Sequence, residues 1–448
     1  MQARLRRQLV LGASVLTIVL VAAACGGSAA TTKPVQSSAP TEAVASPSAA
    51  AVVDPVVWWV PSPDEIEGTS EGIAEFCSKE TGIPINLELT PWDGYSTKLT
   101  TAITSGQVPD IAVLGNTDVP TLANTGAFMT WGDAELAAIG GADQFVGQSL
   151  NAYVPAGEQP ASLPFIAGAW LLQYNKAIFE AAGISGPPTT WAEFYKIARQ
   201  LSDPSKDQYG VAIAGGTPGA MSTWAWIVAQ QNGVPYYSAD SQPQVNTPAM
   251  VSAMTDLVSW VYPYQIMSPT SVADNSNGDN ALFAAGKAAM DITQNPKAAI
   301  NEPDKYGIGV IPLPDPLPAG GKPTMSHLAG LNLAIFKDGP NRAGALAVTK
   351  CLVGPTAQVM QAKGNIGLPV TVAGLQDPYF QTDSMQAYGK ILANAAATPT
   401  EATSSQLLQG VGDALVKLYQ TSAATKTVDP AEVERALKTV EETVKAGG

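Results

Sequence analysis

The sequence predicts an α/β protein of two lobes, each a mostly parallel sheet flanked by helices. Three observations predict it. From Val56 onward, short apolar runs alternate with helix-length segments, the order that buries a sheet between helices. The chain has 448 residues, too many for one ordinary core and enough for two. The stretch Leu163–Trp191, LPFIAGAWLLQYNKAIFEAAGISGPPTTW, reads as a crossing between lobes. Within it Leu163–Phe165 is extended and Trp170–Tyr174 is a strand. Asn175 caps a helix, Lys176–Ala182, that stops at Gly183. Gly186, Pro187 and Pro188 force a turn, and Thr190 with Glu193 forms the capping box of the next helix.

The N-terminus reads as a targeting segment. Arg4, Arg6 and Arg7 precede the apolar run Leu9–Val21, and Ala22-Ala23-Ala24-Cys25-Gly26-Gly27 follows. That run is shorter than the ~20 residues of a spanning helix. Small residues before a cysteine resemble a bacterial lipobox, although Ala22 stands where that pattern usually has Leu. The resemblance implies a signal peptide over 1–24 and a lipid on Cys25. The competing reading is an ordinary signal peptide cut near Ala24. Loss of 1–24 removes three arginines and no acid, taking the net charge from −14 to −17. Residues 25–53 are Ser, Ala, Thr and Pro with few large apolar side chains, the composition of a flexible tether.

The acidic balance argues against nucleic acid as a partner, because no basic surface is offered to phosphates. With 46% hydrophobic and 14% charged residues, the composition suits a compact secreted protein.

In the first lobe, strands are expected at Val56–Val60, Ile85–Leu89 and Asp110–Leu114, with helices over Gly68–Glu80 and from Tyr95 to about Ser105. In such sheets ligands meet the loops beyond the C-terminal strand ends. Those loops hold Trp59, Ser62, Asp64, Trp92, Tyr95, Asn116 and Asp118. Aromatic faces beside carboxylate and amide groups suit a sugar, whose C–H faces stack on rings and whose hydroxyls need acceptors. For any single Trp, core packing is an equal alternative. In the second lobe, Tyr209–Ala214 and Ala288–Ile292 read as strands and Ala220–Gln231 as a helix. Trp224 and Trp226 lie two positions apart on that helix, so at most one lines a cleft.

The run YNK…F…AGI…PPTTWAEF, Tyr174 to Phe194, resembles the signature of family 1 extracellular solute-binding proteins, the maltose-binding-protein-like receptors of ABC importers. FCSKETGIPINLE (Phe76–Glu88), GQVPDIAVL (Gly106–Leu114), ALFAAGKAAM (Ala281–Met290), GIGVIPLP (Gly307–Pro314), LAGLNLAIF (Leu328–Phe336) and NIGLPV (Asn365–Val370) resemble it too, in order. The resemblance implies a periplasmic-binding-protein-like fold with a hinge of two or three crossovers. It implies an N-terminal lobe of 54–164 plus 306–353 and a C-terminal lobe of 165–305 plus 354–448. It implies a monomer held at the extracytoplasmic face of the membrane by its lipid alone, with a carbohydrate ligand, a permease partner and no cofactor. Contacts carried over by position are Gly168 and Trp170 at the crossing, Trp224, Asn295, and His327 with Gly330 near the hinge. The family commonly has Gly-x-Trp where Gln294 and Asn295 stand here. The loop Pro399–Thr403 would face the cleft. Both helices that carry Cys77 and Cys351 fall in the family's N-terminal lobe, which implies a disulfide between them; two free thiols are the alternative.

Enzymatic machinery is hard to find. His327 is the sole histidine, for which an exposed loop position is at least as good a reading as a ligand contact, and no Gly-x-Ser-x-Gly surrounds a serine. GGTPG at 215–219 lacks the Lys-Ser/Thr of a phosphate loop. Asp64, Asp118 and Asp291 are the carboxylates a glycosidase would draw on. A glycerophosphodiester-type solute on the same fold would call for cationic contacts, which these loops lack. A tethered adhesin or sensor is the remaining alternative.

Overall fold

A computed structural model describes residues 53–62, 66–92, 94–155, 157–273 and 278–447. The expectation for Cys25, that for Asp64 and the leader and tether fall outside these residues. The described chain holds ten strands: β1 (Val56–Ser62), β2 (Ile85–Pro91), β3 (Ile111–Gly115), β4 (Leu163–Ala169), β5 (Leu171–Asn175), β6 (Tyr209–Ala212), β7 (Ala288–Thr293), β8 (Tyr306–Gly309), β9 (Ser326–Ile335) and β10 (Ala395–Ala396). They form two sheets flanked by helices. The first has the order β10-β9-β3-β1-β2, with β4 added on β9; the second has the order β6-β7-β5-β8.

The α/β class holds, and both sheets are mixed. β1 pairs in parallel with β2 and β3, whereas β9 is antiparallel to β3 and β4. In the second sheet β6 and β7 are parallel, and β5 is antiparallel to β7 and β8. The antiparallel strands are the ones that cross or return between sheets, so they enter against the direction set by the βα units.

Two stretches lie elsewhere than the sequence suggests. β8 bonds to β5 in the second sheet, so the chain returns to the first sheet after Gly309, not at 306. Residues 355–396 join the first sheet, and within them the helix Asp383–Leu392 also meets β8 of the second. The helix Pro355–Gly364 lies against the helix Thr69–Thr81, and its Ala357 joins the core of Trp58 and Val113. The helix Asp383–Leu392 packs on β4 and β9, and β10 pairs with β9. The apolar faces of these segments complete the first core, which β1, β3 and β9 alone leave open on one side.

Local signals act where expected. Asn175 accepts the Ile178 N–H, and Thr190 and Glu193 close a capping box on the helix Trp191–Gln200. Cys77 and Cys351 are joined, bridging the helices Thr69–Thr81 and Arg342–Leu352 across 274 residues of sequence. At Gly330, φ is +142°, and a Cβ there would lie 2.1 Å from the Ile166 carbonyl oxygen. This is where the β4–β9 register shifts between Pro164 and Ile166. Only glycine permits that approach.

Replacing both cysteines, Cys77→Ser with Cys351→Ser, is expected to lower the unfolding free energy by roughly 2–5 kcal/mol in urea titrations, because the loop it closes is long. Gly330→Ala should lower it by at least ~2 kcal/mol, since strain and backbone overlap add. Unchanged midpoints in either variant would refute the respective role.

Candidate ligand site at the crossover between the sheets

The site is built on one residue of linker. β4 belongs to the first sheet and β5 to the second, and Trp170 alone separates them. Ala169 pairs with Leu328, and Leu171 pairs with Thr293. In the sequence His327 precedes Leu328, and Gln294 and Asn295 follow Thr293. His327 in turn pairs with Ala396 of β10. Through these pairs the crossing at Trp170 lies next to the start of β9 and the end of β7, and β10 joins β9 there.

Polar side chains from the first sheet converge on the same place. The Asn116 N–H donates to the Gly330 carbonyl at 3.2 Å. Asn332 donates its amide to the Asn116 side-chain oxygen, and the Tyr153 hydroxyl donates to the Leu328 carbonyl. Asn116, Tyr153, Leu328 and Asn332 share a small pocket with Ser149 and Ile166. From the second sheet, the helix Pro218–Gln231 reaches β9. Its last residue, Gln231, is fully engaged: it accepts from Trp191 Nε1 at 2.9 Å and donates to the Pro312 and Thr324 carbonyls at 3.0 Å. That amide clamps the return crossing to the helix.

The helix Ser404–Thr425 closes the far side. Gly412 packs against Pro218, and Thr403 shares a 3.0 Å hydrogen bond with the Tyr237 hydroxyl. Its N-terminus meets the first sheet directly. The Ser405 hydroxyl donates to the Thr117 carbonyl at 2.6 Å, and Thr121 donates to the Ala402 carbonyl at 2.9 Å.

His327 is 2% exposed and Asn295 8% exposed, yet both imidazole nitrogens and both amide atoms lack a hydrogen-bond partner. The buried Ser404 hydroxyl is also unpartnered. Buried polar atoms are almost always paired, so each of these orphans is a place where an outside hydroxyl would bond. The indole N–H groups of Trp170 and Trp226 are unpartnered as well, but so are those of Trp58, Trp131 and Trp224 inside the cores. The weight therefore rests on His327, Asn295 and Ser404. Burial holds the His327 imidazole down to about 3 from its ordinary 6.5, so it is neutral and offers one donor and one acceptor.

Of the residues expected at the site, the structure brings Asn116, Gly168, Trp170, Asn295, His327 and Gly330 to this crossover. Ser62, Trp92 and Asp118 form a separate rim on the first sheet. There the Trp92 N–H donates to the Ser62 carbonyl at 3.1 Å, Trp92 is 45% exposed, and Ser96 donates to Asp118 at 2.8 Å. Burial pushes the Asp118 carboxyl up, opposed by that hydroxyl. Three expectations move elsewhere. Trp59 lies under Lys98, whose Nζ sits 3.7 Å from the ring centroid, and it packs in a core. Tyr95 is buried in that core, donating to the Trp59 carbonyl at 3.1 Å. Trp224 is fully buried among Trp191 and Trp260. Trp226, two positions along, is also buried, edge-on to Tyr236; Tyr153, Asn332, Ser404 and Ser405 were not expected from the sequence. The lone Asn in the apolar run LAGLNLAIF was a signal for Asn332.

Among the described candidates, Asp118 follows β3 of the first sheet and Asp291 lies on β7 of the second. Asp291 is fully buried on β7, where it accepts from Gln173 at 2.8 Å; burial and the nearby Asp279 raise its pKa well above the ordinary value. Asp118 belongs to the other sheet and its own hydroxyl partner.

Two α/β sheets joined by crossing strands, with unpaired polar groups at the crossing, define a hinged binding architecture. The chain belongs to the bacterial extracellular solute-binding protein family, whose pattern matches residues 62–359. A putative binding protein of Brucella abortus is 24% identical over 354 residues, covering 77% of this chain and 82% of that protein. The diacetylchitobiose binding protein DasA of Streptomyces coelicolor is 26% identical over 294 residues, covering 62% and 64%. The crystal structure of an ABC transporter solute-binding protein from Thermotoga lettingae, bound with alpha-D-tagatose, superposes with a TM-score of 0.74 at 22% identity, covering 88% of this chain and 99% of that one.

The low imidazole pKa sets a pH dependence. Between 6.5 and about 3 the unfolded chain binds a proton at His327 that the folded chain refuses. Its contribution is thus intact above 6.5 and is lost as the pH falls. From about pH 7.5 to about pH 4.5 the loss should be ~2–3 kcal/mol in urea denaturation, and His327→Asn should shed that part of the slope. A variant with the parent slope would show that His327 is not buried neutral.

Proposed function

We propose that this chain is the extracytoplasmic receptor of an ABC importer, anchored by a lipid on Cys25, that captures a carbohydrate between two lobes and hands it to a permease. The observation that carries the reading is the pair His327 and Asn295: neutral, buried, and with four unpartnered polar atoms between them. Such groups match hydroxyls, which donate and accept at once. The Streptomyces protein binds diacetylchitobiose and the Thermotoga protein holds tagatose, which supports the same ligand class.

Mechanism follows from the crossover. Groups from both sheets reach a ligand together only when the lobes are closed, so the ligand favours closure by its differential affinity for that state. Trp170 would act as the pivot, with the return crossing after Gly309 and the third crossing after β10 as its companions. The lobes would then be 54–169 with 326–396, and 171–309 with 404–448. The receptor works as a monomer and releases its ligand unchanged.

The test is tryptophan fluorescence of residues 54–448 titrated with monosaccharides, polyols, oligosaccharides and glycerophosphodiesters. A saturable shift with a carbohydrate at about micromolar Kd or tighter is expected, with chromatography returning the sugar intact. A response to phosphodiesters alone would overturn the ligand class, and cleaved product would overturn the receptor reading.

A further inference from the structure

The two sheets are joined by crossing chain, but one tie between their lobes is made by side chains. The helix Ser404–Thr425 belongs with the second sheet: its Leu407, Leu408, Val411 and Leu415 share a core with Trp224 and Met290. The short helix Val119–Ala123 belongs with the first, where Val119 and Leu122 share a core with Tyr95 and Phe336. Three hydrogen bonds run between these helix starts. The Ser405 hydroxyl donates to the Thr117 carbonyl at 2.6 Å, and the Thr121 hydroxyl donates to the Ala402 carbonyl at 2.9 Å. The Ser405 N–H donates to the Thr121 hydroxyl at 3.4 Å.

Each end of the tie is fixed in its own lobe. In the first, the Asn116 N–H holds the Gly330 carbonyl and the Asn116 side chain accepts from Asn332, so Thr117 is anchored to β9. In the second, Thr403 bonds the Tyr237 hydroxyl at 3.0 Å and Gly412 packs on Pro218. A rotation of one lobe against the other therefore breaks the three bonds, because neither side has a loose loop to follow the motion. Asn116 and Thr117 come directly after the C-terminal end of β3, the end of an α/β sheet that faces the ligand crevice. Bonds from that end to the opposite lobe span the crevice and part when it opens. Ala402 is exposed, so water reaches the tie and takes up its groups once they separate.

Resting on the reading of two lobes that close, we propose that Thr117, Thr121, Ala402 and Ser405 form a latch that favours the closed arrangement before any ligand arrives. Thr117 and Ala402 take part through their backbone. The hydroxyls of Thr121 and Ser405 therefore set what fraction of the free receptor is closed, and they slow release, since the latch must part before a ligand leaves.

The test uses residues 54–448 without ligand. Spin labels go on Thr101→Cys in the helix Tyr95–Ser105 and Glu434→Cys in the helix Pro430–Gly447, both exposed positions. Cys77 and Cys351 are joined and take no label. In Thr121→Val with Ser405→Ala, the ratio of open to closed molecules in the distance distribution should rise roughly tenfold, as expected for the loss of three modest hydrogen bonds. The radius of gyration from small-angle scattering should rise with it. Thr121→Ser and Ser405→Thr keep the hydroxyls and should match the parent, which a loss of packing alone would not allow. Ser405→Ala alone should give an intermediate shift, so the latch stays testable if the double variant fails to fold. With each sugar that shifts tryptophan fluorescence, stopped-flow mixing should show release several-fold faster in the double variant and association no slower. Unchanged distances and radius in the double variant, or the same opening in the hydroxyl-keeping variants, would overturn the latch and leave the receptor reading intact. The ligand-free measurements stand even where no sugar binds, so failure of the carbohydrate reading is seen separately.

Discussion

The structure depends on a constraint at Trp170: a strand of one sheet becomes a strand of the other with a single residue between them. Neither sheet can shift its register there without moving the other, because Ala169 and Leu171 are each hydrogen-bonded into their own ladders. β9 meets the same constraint from the opposite side. It pairs with β3, β4 and β10 along its length, and it reaches β4 closely enough at Gly330 that no side chain fits. The result is a crossing pinned by both ladders, with His327 held by the pairing of β9 with β10 and Asn295 held by its N–H on the Thr293 hydroxyl. That leaves their polar atoms free for something else.

Asp291 differs in degree, for its Oδ1 is unpartnered as well but its Oδ2 is bonded. It too is a buried polar group, but one of its oxygens receives Gln173, whose own carbonyl accepts the Ala299 N–H, and Asn280 links Gln173 to Thr293. This is a network that fastens β5 to β7, and burial keeps its carboxyl toward the protonated form. Gln231 is another such fastener, with every amide atom used. Satisfied buried polar groups specify the fold; unsatisfied ones at a crossing specify a partner.

Much of the fold was legible in the sequence because its local signals agree with its tertiary ones. Asn175, Thr190 and Glu193 cap where they should, and the apolar runs at β1, β3 and β7 are strands. The misplaced segments share a cause. Nothing local tells whether Tyr306–Gly309 or Pro355–Gly364 joins one sheet or the other, since both cores accept the same apolar faces. The site was legible only in part for a similar reason. Trp59, Tyr95 and Trp224 have the right chemistry for a sugar and the right place at strand or helix ends, but Tyr95 and Trp224 are buried in cores and Trp59 packs on one beneath Lys98. Ser404 and Ser405 lie 77 and 78 positions after His327 in sequence order, on a helix start that only the packing of Gly412 against Pro218 brings near.

The pairing of Cys77 with Cys351 has a consequence for how such a chain is made. The first sheet draws on an early segment, on β4, and on β9 and β10, whereas β5 to β8 supply the second sheet without interruption. A chain emerging from its N-terminus therefore presents β1 to β3 long before their partner strand exists. Cys77 waits as a thiol through 274 further residues, while the second sheet can assemble behind it. Sealing of the early lobe is thus a late event in biogenesis, and an oxidising compartment that acts too soon meets only one of the two sulfurs it needs.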